Sequence, residues 1–286
     1  MPDGIAELLG LLDLETIEVN IFRGTSPDER RQRVFGGQVA AQALVAAGRT
    51  VDHGRVHSLH SYFLRPGDPT VPILYEVDRI RDGRSFTTRR VVAIQRGQAI
   101  FNLHCSFHVE EEGIEHEQPP PAVAGPEGLP GLLEAHRADG AGGPDVPLGF
   151  LRPHGLELRF LSQPPWERSE TGHERVQLWV RSEGPLPDDP LLHAAVATFA
   201  SDLTLVDSIV QRHGVTPWAE EFLGASLDHC MWFHRPFRAD EWLLYDQHSP
   251  TAHGARGLAL GCLYSVEGHL VVSVAQEGLV RFRKPR

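Results

Sequence analysis

The chain has 286 residues, of which 41% are hydrophobic, and a formal net charge of −11. A chain of this size and composition can bury a core without support from disulfides or metal. Its three cysteines include no close pair, which argues against a disulfide framework or a zinc ribbon. The acidic balance argues against a nucleic-acid partner, because affinity for a phosphate backbone comes from clustered positive charge.

The sequence also gives expectations about location. No apolar run approaches the roughly 20 residues of a membrane span, and the first residues lack the basic start of a signal peptide. The last residues do not form a peroxisomal Ser-Lys-Leu signal. We therefore expect a protein of the cytoplasm.

The first elements in chain order are helices and a strand. Apolar residues at near-helical spacing predict a short helix over residues 3–12, and the alternation over residues 15–23 predicts a strand. Residues 35–48 are rich in alanine and apolar on nearly all sides, which predicts a buried central helix. Gly36 and Gly37 at its start either allow close packing or expose backbone N–H groups to a ligand.

Four strand-like segments follow this helix. They cover residues 56–64, 73–81, 85–95 and 99–109, and turn motifs that contain glycine separate them. Such turns are typical of hairpins, so the sheet is predicted to be antiparallel. A long helix with an antiparallel sheet that can wrap round it is an α+β arrangement.

Residues 112–150 differ from the rest because proline and glycine are frequent there, which predicts a linker over the surface. Beyond it, strands at 156–160 and 176–181 and an alanine-rich helix at 191–202 repeat the earlier pattern of elements. The second half of the chain is thus expected to resemble the first in structure.

Two stretches of sequence correspond at one constant offset. Phe63, Arg65, Pro66 and Tyr75 match Phe233, Arg235, Pro236 and Tyr245. A fixed offset over this distance indicates duplication. We therefore predict an N-terminal module at 1–111, a linker at 112–150 and a C-terminal module at 151–286, each module within the usual size of a domain.

Three polar residues distinguish the second copy. Asp202 lies in the apolar C-terminal part of its helix, Ser226 starts a long strand, and Gln276 lies within an apolar strand. The first copy has Cys105 in place of Gln276, and alanine or glutamine near the place of Asp202. A buried carboxylate is costly unless it is hydrogen-bonded or used, and burial raises its pKa. The alternative for Asp202 is a solvated residue at a helix end.

These features resemble the acyl-CoA thioesterase II family of double-hotdog proteins. The motifs that carry the resemblance are VFGGQ at 34–38, HSLHSYFLRPGD at 57–68, SD at 201–202, LDHCMWFHRP at 227–236 and QEG at 276–278. The resemblance implies a tandem hotdog, with two antiparallel sheets each wrapped round a central helix. It also implies hydrolysis of acyl-CoA, with Asp202, Ser226 and Gln276 as the catalytic set.

Thioester chemistry explains these residue types. Hydrolysis needs a placed water, a base, and positive dipoles near the carbonyl oxygen. Asp202 would be the base or would orient the water, and Ser226 and Gln276 would hold it. The backbone N–H groups of Gly36 and Gly37 are candidates for the carbonyl oxygen, if the two modules face one another. Direct attack by water is favoured over an acyl-serine, because no histidine is placed by sequence to activate Ser226 and there is no Gly-x-Ser-x-Gly elbow.

The histidines carry weaker signals. There is no His-Glu-x-x-His and no Cys-x-x-Cys, so His104 and His108 are interpreted as structural, and neither a metal nor a redox cofactor is expected. His229 and His234 are interpreted as supports for a strand and its turn.

Two alternative functions stay open. The first is a catalytically silent acyl-CoA-binding module. The second is a hotdog enoyl-CoA hydratase that uses Asp52 and His57, although the Gly-Asp-x-Asn-Pro context of that motif is absent. Whatever the function, we expect a homo-oligomer, dimer or higher, because side-by-side joining of hotdog sheets would cover edge strands.

Overall fold

The computed structural model of the chain describes residues 4–27, 33–138, 154–161, 172, 174–217, 219 and 221–283. The last part of the predicted linker, residues 139–150, and the first three residues of the predicted C-terminal module lie outside these ranges.

The described residues form short helices and long strands. The helices are α1 (Gly4–Leu12), α2 (Gly36–Gly48), α3 (Leu132–Ala138), α4 (Pro190–Ser201) and α5 (Asp207–Gln211). The strands are β1 (Glu15–Glu18), β2 (Ile21–Gly24), β3 (Arg55–Phe63), β4 (Ile73–Asp82), β5 (Phe86–Gln95), β6 (Gln98–His108), β7 (Leu156–Phe160), β8 (Arg175–Ser182), β9 (Phe222–Ser226), β10 (Asp228–Phe233), β11 (Leu243–His253), β12 (Arg256–Ser265) and β13 (Leu270–Phe282).

All of these strands belong to one antiparallel sheet. Its order is β1-β2-β4-β5-β6-β3-β10-β13-β12-β11-β8-β7, with β9 also paired to β13. The halves of the sheet meet where β3 pairs with β10, with His60 opposite Cys230. With one central helix in each half, this arrangement confirms the predicted α+β tandem hotdog.

The two central helices, α2 and α4, lie against one another inside the sheet. Every residue of α2 from Gly37 to Ala47 is buried, which explains why the helix has no polar face. Small residues allow the close approach: a Cβ atom added to Gly48 would lie 2.4 Å from Cδ2 of Leu191 at the start of α4. Asp189 caps α4 by accepting a hydrogen bond from the Leu191 N–H. The two helices therefore lie side by side and antiparallel, with the start of each beside the end of the other.

The structure differs from the predictions in three respects. The single strand predicted at 15–23 is wrong, because β1 and β2 form a hairpin round a turn in which Asn20 has φ +63°, a conformation that asparagine tolerates. The strand predicted to start at Ser226 is broken, since β9 ends there and β10 begins at Asp228. Helices α3 and α5, of seven and five residues, are too short to give a clear periodic pattern.

The described part of the predicted linker runs across the outer side of the second half of the sheet. Gln118 Nε2 donates to the Tyr264 hydroxyl at 2.6 Å, and Trp179 Nε1 donates to the Ala124 carbonyl at 3.0 Å. These contacts attach residues 112–138 to the second half of the fold.

Candidate active site

The three polar residues that distinguish the second copy lie together. Gln276 Nε2 donates a hydrogen bond to Asp202 Oδ1 at 2.6 Å. The Ser226 hydroxyl donates to the same oxygen, at 3.4 Å. Residues that are far apart in sequence therefore form one polar cluster around one carboxylate.

Three different elements position this cluster. Asp202 is the C-cap of α4, so its carboxylate lies where the helix ends. Ser226 is opposite Gly278 in the pairing of β9 with β13. Gln276 is two residues from Gly278 on the same strand, and alternate residues of a strand share one face. The side chains of Ser226 and Gln276 therefore leave the sheet on the side where α4 ends.

The N-terminus of α2 completes the site from the first half of the chain. The backbone N–H of Gly37 acts on the Asp202 carboxylate and opposes the rise of its pKa. A Cβ atom added to Gly36 would lie 2.7 Å from Asp202 Oδ2 and 2.8 Å from the Phe63 ring. The condition for Gly36 and Gly37 to contribute is thus met: the helix start in one half faces the carboxylate in the other, and only glycine leaves room for it.

Burial dominates the electrostatics of Asp202. Burial raises the pKa of its carboxyl, and His229, the hydrogen bonds from Gln276 and Ser226, and the Gly37 N–H oppose this rise. Burial, together with the charge of Asp202, raises the pKa of the nearby Asp207 to about 8. Asp202 is therefore a stronger base than an exposed aspartate, as suits a group that removes a proton.

His229 belongs to this cluster, although the sequence placed it only as a support for a strand. It is completely buried, and its Nε2 lies 2.8 Å from the Ser201 hydroxyl. Its backbone carbonyl accepts a hydrogen bond from the Ser61 hydroxyl at 2.8 Å. One signal could have identified it: in the first copy the corresponding residue is Leu59, so a polar side chain at this position is specific to the second copy.

The first half of the chain contains a related place without the polar groups. In the first half Cys105 pairs with Leu59, and in the second half Gln276 faces His229. Because Leu59 corresponds to His229, Cys105 corresponds to Gln276, as predicted. Gly48 lies at the place related to Asp202, because the start of α4 at Leu191 lies against Gly48 as the start of α2 at Gly36 lies against Asp202. The alanines predicted near this place are Ala46 and Ala47, which directly precede Gly48.

Val56 corresponds to Ser226, since it pairs with Phe107 where Ser226 pairs with Gly278. A cavity of about 490 Å³ lies here, lined by Gly48, Val56 and Leu191 among others. The duplication thus left two related places, of which the second half alone carries the carboxylate, hydroxyl and amide.

The histidines considered for a metal site are engaged elsewhere or dispersed. His108 Nε2 lies 3.0 Å from Glu111, and the His108 ring stacks on Phe86 at 4.2 Å. Within the part of the chain that the structure describes, no three His, Cys, Asp or Glu side chains are grouped so that they could hold a metal ion. Over the same residues, no helix is both long enough and apolar enough to cross a membrane.

The fold and the cluster define a double-hotdog protein in which the two halves build one polar site. A family model described as "Acyl-CoA thioesterase N-terminal domain" matches residues 26–108, and one described as "Acyl-CoA thioesterase" matches residues 155–279. The chain belongs to the acyl-CoA thioesterase family.

Individual relatives match over nearly the whole chain. It is 38% identical to acyl-coenzyme A thioesterase 8 of Mus musculus, over 96% of this chain and 88% of that protein. It is 36% identical to acyl-CoA thioesterase 2 of Haemophilus influenzae, over 99% of both chains. The crystal structure of an acyl-CoA thioesterase II, TesB2 from Mycobacterium marinum, superposes with a TM-score of 0.77 at 42% identity, over 97% of this chain and 99% of that one.

Proposed function

We propose that this acyl-CoA thioesterase hydrolyses its substrate by direct attack of a water molecule that Asp202, Ser226 and Gln276 hold. The observation that carries the proposal is the short hydrogen bond from Gln276 to Asp202, at 2.6 Å in a buried site. It orients the carboxylate without neutralising it, so Asp202 stays available as a base. The products are a free fatty acid and CoA.

In the proposed reaction, Asp202 takes a proton from the water as its oxygen bonds to the thioester carbon. The tetrahedral intermediate then collapses, the carbon–sulfur bond breaks, and the proton held by Asp202 passes to the CoA sulfur. Ser226, which can donate and accept, fixes the water beside the carboxylate. No covalent enzyme intermediate forms, and Ser226 is not the nucleophile, because the Nε2 of the buried His229 bonds to Ser201.

The start of α2 supplies the positive dipole for the carbonyl oxygen. Backbone N–H groups at a helix N-terminus carry partial positive charge and stabilise developing negative charge. The Gly37 N–H is used by Asp202, so of the two candidates, Gly36 and Gly37, the Gly36 N–H is the better donor to the substrate. This part of the proposal makes both halves of the chain necessary for turnover.

The test is release of free CoA thiol from a series of acyl-CoAs by the native protein and by Asp202→Asn. We expect the variant to lose at least ~100-fold in rate, as for a positioned acid–base group, and still to be stabilised against unfolding by acyl-CoA. Retention of the native rate by Asp202→Asn would contradict the proposal.

The control variant is Asp52→Asn, which alters the residue that the hydratase alternative would use. It should keep the native rate of thiol release. Loss of enoyl-CoA absorbance that depends on Asp52 would instead support the hydratase. If neither the native protein nor Asp202→Asn turns over and acyl-CoA stabilises both, the protein is a binding module.

We also propose the finer points of organisation that the sequence predicted. The module boundaries are 1–111 and 151–286, and the location is the cytoplasm, which three free cysteines support.

The protein is a homo-oligomer, since the sheet ends in the edge strands β1 and β7 and uncovered edges invite uncontrolled pairing. Light scattering after size exclusion tests the assembly, and a monomer at micromolar concentration would refute it.

A further inference from the structure

Two buried residues behind the site distinguish the second half of the chain as clearly as the proposed catalytic residues do. Ser201 precedes Asp202 and corresponds to Ala47, which precedes Gly48 in the first half. His229 corresponds to Leu59. The half without the carboxylate and amide thus has apolar side chains at these two positions as well, which ties Ser201 and His229 to the polar site rather than to the fold.

The geometry places His229 between Ser201 and Gln276. All three residues are completely buried. His229 Nε2 lies 2.8 Å from the Ser201 hydroxyl. The pairing of Cys230 with Ala275 sets His229 and Gln276 opposite one another on neighbouring strands.

Two polar atoms at this point lack a partner. Among the described residues, neither His229 Nδ1 nor Gln276 Oε1 has a hydrogen-bond partner. A buried polar atom without a partner costs about 1–3 kcal/mol. A donor on one of these side chains and an acceptor on the other would remove both costs.

The directions of the hydrogen bonds follow from Asp202. An ionised carboxylate only accepts, so Gln276 must direct its NH₂ group to Asp202 and its Oε1 away from it. Oε1 then needs a donor. If the neutral His229 ring carries its proton on Nδ1, that N–H can donate to Oε1. Nε2 can then accept from the Ser201 hydroxyl, which lies 2.8 Å from Nε2 and 2.9 Å from the Thr198 carbonyl and directs its proton to the ring rather than to that carbonyl. Each proton in the series from Ser201 through His229 and Gln276 to Asp202 then has one acceptor.

We propose that His229 is a positioning residue, which holds the Gln276 amide with its NH₂ group toward Asp202 and is itself oriented by Ser201. His229 is completely buried. Its effect on the reaction passes through Gln276, whose amide can rotate about its last side-chain bond when Oε1 has no donor. The inference rests on the proposed function.

The charge state of His229 agrees with this role. Burial lowers the pKa of the ring, while Asp202, the Gln276 amide and Asp228 act to raise it. The largest of these effects is burial, so the ring is neutral near pH 7 and has one N–H to place.

The first test is His229→Leu, which introduces the residue that the first half accommodates at the corresponding place. We expect kcat to fall about 10-fold, the effect of one lost hydrogen bond of this kind, with KM and the thermal unfolding temperature nearly unchanged. His229→Asn, whose amide NH₂ can occupy the place of Nδ1–H, should recover most of the rate. His229→Gln, whose amide reaches the place of Nε2, should not.

The second test is a double-mutant cycle with Gln276→Ala. If His229 acts through Gln276, the double variant is no slower than Gln276→Ala alone. Additive losses, or a native kcat in His229→Leu, would overturn the inference. If His229→Leu fails to fold, the comparison of His229→Asn with His229→Gln decides, and equal rates for these two would overturn it.

Failure of the inference can be told from failure of the proposed function. The same preparations include Asp202→Asn, which must lose turnover if the proposed function is correct. Loss of rate in Asp202→Asn together with a native rate in His229→Leu rejects the role of His229 alone. A native rate in Asp202→Asn rejects the catalytic set on which both depend.

Discussion

Asp202 can lie against the start of α2 because residue 36 has no side chain. A Cβ atom at residue 36 would lie only 2.7 Å from Asp202 Oδ2. Real Cβ atoms do not make contacts this short. The same Cβ atom would lie 2.8 Å from the ring of Phe63, which belongs to strand β3, so a side chain at residue 36 would move the carboxylate.

We expect Gly36→Ala to lower kcat by about 100-fold, because displacing a reacting group by about 1 Å can have an effect of this size. The measurement is thiol release under saturating acyl-CoA. Gly10→Ala is the matched control, since nothing lies within 4 Å of its added Cβ atom and alanine favours a helix by about 1 kcal/mol over glycine. A native kcat in Gly36→Ala would show that the carboxylate has room to move.

The pH dependence of turnover tests the burial of Asp202. The base must be ionised, and burial raises its pKa above the ordinary value of 3.8. We therefore expect kcat/KM to fall, as the pH is lowered, through an apparent pKa higher than 3.8. A profile of kcat/KM against pH measures it, with thermal unfolding at each pH as the control for acid denaturation. An acid limb at or below 3.8 would mean that the carboxylate is solvated.

The candidate site could be predicted only in part. Asp202 and Gln276 were identifiable because a carboxylate and an amide interrupt apolar elements that lack them in the other copy. Ser201 and His229 were not identified, since a serine in a helix and a histidine in a strand are ordinary residues until burial and distance are known. The register that sets His229 opposite Gln276 depends on pairing across two strands, which no local pattern specifies.

At the scale of elements, the close contact of α2 with α4 determines where the site can form. The ends of this contact are related but unequal: Gly36 faces Asp202 at one end, and Gly48 faces Leu191 at the other. The second end contains apolar side chains and should affect packing rather than chemistry.

Gly48→Ala should therefore lower stability without a direct effect on kcat. Its Cβ atom would lie 2.4 Å from Cδ2 of Leu191, and overpacking of this kind costs about 1–3 kcal/mol. Denaturant unfolding gives the stability, and thiol release gives the rate. The double variant Gly48→Ala, Leu191→Ala, which removes the obstructing side chain, should no longer show the overpacking cost. A large loss of kcat in a folded Gly48→Ala protein would contradict this division of roles.

Long elements were predicted well and short ones poorly. The central helices and the strands β3 to β6 have enough residues for hydrophobic periodicity to be clear. The sequence predicts one strand in place of the β1–β2 hairpin, because the alternation of apolar and polar side chains continues through the two-residue turn. Only the positive φ of Asn20 separates the two strands. Pairing of β3 with β10, which joins the halves, has no signature in either strand alone.

At the scale of the whole molecule, the shared sheet holds the halves together, with five residue pairs from Asp228–Tyr62 to Trp232–Ser58 between β10 and β3. The linker supplies none of the proposed catalytic residues. The covalent connection between the modules should thus be dispensable once the protein has folded.

We expect a protein with a protease recognition sequence inserted within residues 139–150 to keep its kcat after complete cleavage, with both fragments eluting together in size exclusion. The continuous sheet and the buried contact of α2 with α4 provide the physical reason. Native protein treated with the same protease is the control. Separation of the fragments at micromolar concentration would show that the linker, and not the sheet, maintains the assembly.

The cavity beside Gly48 also has a consequence for how such an enzyme can change. A single hotdog module that assembled with an identical copy would repeat every substitution at both centres, so no variant could alter one and spare the other. Duplication within one chain removes that restriction. In the proposed site one copy provides the helix start and the other provides the acid–base chemistry, and each can diverge separately. We expect calorimetric titration with a non-hydrolysable acyl-CoA analogue to end at one equivalent per chain, and the centre without the polar groups is free to acquire a different specificity.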